Sequence, residues 1–273
     1  MSQSPVISVE ELCQQPNGET LIVDCRFSLM DKELGRKQYD LGHVPGAYYV
    51  HLDDDMAGVT GKHGGRHPLP KISDFVEFLN RMGMQKDMLV VAYDDSNFAF
   101  ASRFWWMLRY LGHDDVAVLD GGFRAWQFSG GAIDCVAPAL RVGSFNAAQR
   151  SNWVLNREHI LDRIEDPALK LVDSREEARF KGLEEPIDPI AGSIPGALNF
   201  PWQEVTDESG FVRPVDFQVN RWKPISIDDQ MVAYCGSGVT ACVNLISWEM
   251  AGRSAAMLYP GSWSDWCSYE GVD

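Results

Sequence analysis

Leu21-Ile22-Val23-Asp24-Cys25-Arg26 and Lys170-Leu171-Val172-Asp173-Ser174-Arg175 are one pattern written twice, an apolar run closed by Asp, a small residue and Arg. A short apolar run bounded by polar residues reads as a buried strand. The self-similarity extends outward from it. Gly42-His43-Val44-Pro45-Gly46-Ala47 is answered by Gly192-Ser193-Ile194-Pro195-Gly196-Ala197, a Pro-Gly turn that leads into another apolar segment. Met88-Leu89-Val90-Val91-Ala92-Tyr93 is answered by Met231-Val232-Ala233-Tyr234, each followed by a polar turn and a helical apolar pattern. Gly121-Gly122-Phe123-Arg124-Ala125-Trp126 is answered by Gly261-Ser262-Trp263-Ser264-Asp265-Trp266.

Within each copy short β-rich runs alternate with longer helical ones, which implies βα units on a largely parallel sheet. The expected fold is therefore α/β: two tandem domains, each a mainly parallel sheet flanked by helices. The 273 residues suffice for two such cores. The Gly- and Pro-bearing stretch between the copies sets expected boundaries at 1–138 for the first domain, 139–153 for a linker and 154–273 for the second. A net charge of −15 disfavours nucleic acid and anionic membrane surfaces as partners. No apolar stretch approaches the ~18 residues of a membrane span, and Glu10 and Glu11 interrupt any secretory signal, so a cytoplasmic location is expected. The six cysteines show no Cys-x-x-Cys pair, and no metal site or cofactor is called for. Trp105, Trp106, Trp126, Trp263 and Trp266 read as core packing rather than a base-stacking platform.

The copies differ at one loop. After Tyr93 the first continues Asp94-Asp95-Ser96-Asn97; after Tyr234 the second continues Cys235-Gly236-Ser237-Gly238-Val239-Thr240. The end of a strand is where open α/β sheets place their ligands. Gly236 and Gly238 allow the backbone to curl so that its N–H groups form an anion-binding nest around the sulfur. A helix expected from Thr240 to about Ala251, with an apolar stripe and Gly252 as its stop, aims its N-terminus at Cys235. Both features favour a charged sulfur, which makes Cys235 the candidate nucleophile. A cysteine phosphatase would need Arg at the position held by Ala241, which removes that class.

With these residues in view, the chain resembles the two-domain rhodanese family, most closely its mercaptopyruvate-using branch, over nearly its whole length. The resemblance is carried by Val172-Asp173-Ser174-Arg175, by Gly42 to Ala47, by Pro260-Gly261-Ser262-Trp263-Ser264-Asp265-Trp266, and by the loop Cys235 to Thr240, which matches the mercaptopyruvate branch without change. It implies that Cys235 takes sulfur from 3-mercaptopyruvate as a persulfide, releases pyruvate, and passes the sulfur to a thiol or cyanide. Thioredoxin is one thiol acceptor it allows. The same resemblance implies that Ser237 relays a proton, that Gly236, Gly238, Val239 and Thr240 cradle the donor, and that the Asp94 copy is catalytically silent. Arg179 of Arg179-Phe180 is the implied partner of the donor carboxylate, with His43 a secondary candidate. A second family arginine is replaced by Ile187, which weakens the case for mercaptopyruvate and keeps thiosulfate as the alternative donor. Arg103, Arg109 and Lys181 are the cations considered as substitutes. Arg66-His67-Pro68-Leu69-Pro70 also matches a family segment, but its prolines read it as a rigid linker before a helix near Phe75. The rival of another class is a non-catalytic module of the same fold that binds proteins.

Overall fold

The computed structural model describes residues 4–16, 18–253 and 256–269. The outer ends of the two expected domains, 1–3 and 270–273, lie outside them. The chain divides into two compact units. The first comprises 1–58, 70–150 and 207–212; the second comprises 59–69, 151–206 and 213–273.

In the first unit five parallel strands are β1 (Val6–Ile7), β2 (Thr20–Asp24), β3 (Tyr48–Tyr49), β4 (Leu89–Tyr93) and β5 (Val116–Leu119), in the order β1-β5-β4-β2-β3. In the second, four parallel strands are β6 (Leu169–Asp173), β7 (Leu198–Asn199), β8 (Gln230–Tyr234) and β9 (Met257–Leu258), in the order β7-β6-β8-β9. Strands covered on both faces need continuous apolar sequence. The Leu-Ile-Val and Leu-Val runs supply it.

Each unit ties its central strands with the same three residues. Register sets Asp24 beside Tyr93 and Asp173 beside Tyr234. Arg26 lies on Asp24, and Arg175 grips Asp173 through Nε at 3.1 Å and a terminal nitrogen at 2.6 Å. The same guanidiniums reach the carbonyls of Gly42 at 2.7 Å and Gly192 at 2.6 Å, while Val44 and Ile194 N–H donate to Tyr93 and Tyr234 hydroxyls, both at 3.1 Å. The Pro-Gly turns form as expected. Gly46 and Gly196 each have φ +77°, a region an L side chain rarely enters.

The expected linker is more closely held than a free connector. Arg141, Ser144, Ala148 and Arg150 N–H groups bond to carbonyls of Arg81, Met84, Leu111 and Tyr110, and Phe145 is buried, so 139–150 straps the first unit. Trp126 lies in that unit's core; Trp263 and Trp266 lie in the core of the second.

Candidate active site

Cys235 follows the last residue of β8, and the six-residue loop 235–240 delivers the chain into a helix over Ala241–Met250. That helix was expected to carry an apolar stripe. Instead every residue from Ala241 to Trp248 is buried, because polar neighbours satisfy its polar positions: Asn244 donates to Ser174 Oγ at 2.9 Å and to the Phe200 carbonyl at 2.7 Å. The loop is pinned from its other side. Ser262 Oγ accepts from Cys235 N–H at 3.1 Å, and the N–H groups of Trp263 and Ser264 donate to the carbonyls of Cys235 and Gly236 at 3.0 and 2.9 Å.

The two loop glycines have different reasons. Gly238 sits at φ +74°, and a Cβ there would run into the Pro260 carbonyl oxygen and Cα. Both the strain and the clash oppose any other residue. Gly238→Ala is expected to destabilise the protein by about 2 kcal/mol or more and to lower sulfur transfer with it. An unchanged melting temperature would show that the loop has room. Gly236, expected to curl the backbone, has no left-handed φ. It is needed for clearance: a Cβ there would stand 2.9 Å from an Arg66 terminal nitrogen and 3.5 and 3.7 Å from those of Arg179.

Two guanidiniums therefore lie against the loop beside Cys235. Arg179, in the short helix Glu177–Phe180, is buried; it pairs with Glu185 at 2.7 Å and Asp188 at 3.2 Å rather than with the exposed acids of its own helix. Arg66 is the cation that the sequence reading underrated. Of the substitutes considered, Arg103 is buried in the helix Ala101–Tyr110 of the first unit, Arg109 pairs with Asp114, and Lys181 pairs with Glu177 on the surface. Arg66 comes instead from the segment read as a linker. Gly64 N–H donates to Asp265 at 2.6 Å and Arg66 N–H to Ser264 Oγ at 3.1 Å, which fixes the backbone, and the guanidinium then pairs with Asp188. Burial, only partly offset by the Cys235 sulfur, leaves the Arg66 proton affinity below its usual value.

His67, in the same segment, was given the same low weight. Its Nδ1 lies 2.8 Å from Ser237 Oγ, with both residues buried. When Nδ1 is unprotonated the hydroxyl donates to it. Val239 is buried, and Thr240 is half-buried at the helix start. His43 belongs to the first unit, where its ring stacks on Tyr39 at 3.9 Å and Nδ1 lies 2.8 Å from the Tyr39 carbonyl.

The other buried cysteines sit in different surroundings. Burial first, then the charges of Asp94, Asp24 and Asp55, push the Cys25 thiol well up. Burial also raises Cys267. In the first unit the loop after β4 carries Asp94 in place of a thiol. Its carboxyl oxygens accept from the N–H groups of Ser96, Phe98, Phe100 and Ala101 at 2.8 to 3.1 Å, while burial pushes the carboxyl pKa up against them. Among the described residues no three His, Cys, Asp or Glu gather as a metal site, and no helix is long and apolar enough to cross a membrane.

These features agree with what the chain is similar to. The rhodanese-like domain family matches residues 8–129 and again 156–269. A Pseudomonas aeruginosa protein named "Probable 3-mercaptopyruvate sulfurtransferase" is 38% identical, over 97% of this chain and 96% of its own. The thiosulfate sulfurtransferase of Cricetulus griseus is 31% identical over 90% and 84%. The crystal structure of an Escherichia coli 3-mercaptopyruvate sulfotransferase superposes with a TM-score of 0.84 at 29% identity, over 96% of this chain and all of that one. A strand-end cysteine in a glycine loop, the Asp-Arg-Tyr tie beneath it, and relatives matched along their length lead to one statement: the chain belongs to the rhodanese family, as a two-domain sulfurtransferase.

Proposed function

We propose that the protein transfers sulfur from 3-mercaptopyruvate to a thiol through a persulfide on Cys235, and that the Asp94 domain is catalytically silent. The observation that carries the reading is the placement of two guanidiniums against Gly236, the residue after Cys235, beside a Ser237–His67 hydrogen bond of 2.8 Å. The Cys235 thiolate attacks the donor's sulfur. The donor's C–S bond breaks with its electron pair on carbon, giving the enolate of pyruvate, which takes a proton; the new S–S bond leaves the sulfur on the enzyme. An acceptor thiolate then attacks the outer sulfur and frees Cys235 for the next turnover. Thioredoxin suits this second step, being a dithiol with a nucleophilic cysteine.

Arg179 and Arg66 serve the donor carboxylate, for which a guanidinium is better shaped than an ammonium. Gly236, Gly238, Val239 and Thr240 shape the cradle. Ser237 sits where a hydroxyl, backed by His67, can give the enolate its proton and recover one. Ser237→Ala is expected to lower kcat about 10²-fold while KM moves by about twofold or less, because the hydroxyl works on the transition state. A change confined to KM would make Ser237 a binding residue only.

The test of the whole reading is mass spectrometry of the native protein after exposure to mercaptopyruvate without acceptor. The peptide carrying Cys235 is expected to gain one sulfur atom and to lose it on adding a thiol. If no donor labels Cys235, the protein is a non-catalytic member of the fold. Thiosulfate is the second reading, and one observation favours it: Arg66 restores a second cation where Ile187 removed one.

A further inference from the structure

The geometry points to Asp188 as a specificity-determining residue of the donor site, holding Arg66 and Arg179 together beside Gly236 and biasing them toward singly charged donors. This inference rests on Cys235 being the sulfur carrier. Asp188 is almost wholly buried, its side chain 2% exposed, and each carboxylate oxygen faces a different guanidinium: Oδ1 meets Arg66, and Oδ2 meets Arg179 at 3.2 Å. Two guanidiniums against one glycine repel each other, and the Arg179 charge opposes that of Arg66. A carboxylate between them is what lets them share the place.

That arrangement fixes the charge a donor meets. Arg66, Arg175 and Arg179 are balanced by Asp173, Glu185 and Asp188, so the cluster is neutral before the Cys235 thiolate is counted. Arg175 is committed to Asp173 and Glu185 in the interior, with its side chain 1% exposed. The cation open to solvent is Arg66, whose side chain is 32% exposed. A donor carboxylate can bind to that face while Asp188 keeps its own bonds. A dianion such as thiosulfate brings a second negative charge toward a site already neutralised from within, and Asp188 repels it twice as strongly. Ile187 leaves no further side-chain cation at the neighbouring position to offset this.

Interaction energy scales with the product of charges, so the fold-gain from removing one negative charge is, for a dianion, about the square of the gain for a monoanion. Asp188→Asn removes the charge and, with one oxygen left, one of the two guanidinium contacts, a loss that both donors share. The substitution is expected to raise the thiosulfate-to-mercaptopyruvate ratio of kcat/KM on the order of tenfold, chiefly through KM, with the gain shrinking as salt is added. An unchanged or lowered ratio would overturn the assignment.

Should the variant not fold, the native protein decides. Pyruvate is expected to protect Cys235 from alkylation by neutral iodoacetamide at lower concentration than sulfate does, at matched ionic strength. Sulfate protecting as well or better would overturn the inference. Sulfur labelling of native Cys235 by the two donors separates this outcome from failure of the underlying reading. A labelled cysteine with charge-blind donor selection discards Asp188 alone, and an unlabelled one discards both.

Discussion

Cys235→Ser is expected to lower sulfur transfer by about 10⁴-fold or more with every donor and acceptor, while leaving the melting temperature close to that of the native chain. The two side chains are near-isosteric, and the site is 1% exposed, so the packing has little reason to change. The chemistry has every reason to. A hydroxyl is far less ionised than a thiol at neutral pH, and an oxygen cannot hold sulfur in the exchangeable S–S bond that an acceptor thiolate attacks. The measurement is steady-state transfer from mercaptopyruvate and from thiosulfate, each with a thiol and with cyanide. Residual turnover above about one per cent would place the sulfur on another cysteine. Cys242, whose Sγ lies 3.6 Å from the Gly238 carbonyl, would then be the first to examine.

Asp173→Ala carries the largest expected loss of stability, about 3–5 kcal/mol, from a total of about 5–15 kcal/mol for a folded domain. The side chains of Asp173 and Arg175 are 0% and 1% exposed, and Asp173 meets Arg175 through its N–H, Nε and a terminal nitrogen. Without the carboxylate a buried guanidinium keeps Glu185, the Gly192 carbonyl and the face of Trp263. Urea unfolding should show the midpoint drop with little change in slope. A loss under about 1 kcal/mol would mean that Glu185 alone can hold Arg175. The salt bridge is short-range and dry, so added salt should not mimic the mutation.

Much of the fold was legible because its signals are local. The Val-Asp-x-Arg strand ends, the Pro-Gly turns and the Cys-Gly-Ser-Gly loop each need particular residues at fixed spacing, and they recur. What was given too little weight depends on distance in sequence. Arg66 and His67 lie about 170 residues before the loop they touch, as the 2.8 Å bond from His67 to Ser237 spans 170 positions. Nothing periodic marks them, and two prolines nearby argued for a spacer. The helix Ala241–Met250 looked amphipathic because Asn244 and Ser247 are polar. Only the partners Ser174, Gln218 and Trp222 reveal that they are buried and satisfied. Gly236 was assigned its role for the wrong reason, since sequence shows that a glycine is present but not whether backbone angle or a neighbour's side chain demands it.

The segment 59–69 has a practical consequence for anyone who would divide the gene. It is numbered among the residues of the first sheet, yet it packs within the second unit and brings Arg66 and His67 there; 207–212 does the reverse, with Val212 N–H bonded to Asp120 at 2.8 Å. Covalent order and modular order therefore disagree. A fragment encoding 151–273 would carry Cys235 and Arg179 without Arg66 at Gly236 or the imidazole at Ser237. The half that carries Cys235 is not transplantable by one cut, and a fusion or truncation that treats it as a cassette would inherit the thiol without all of its surroundings.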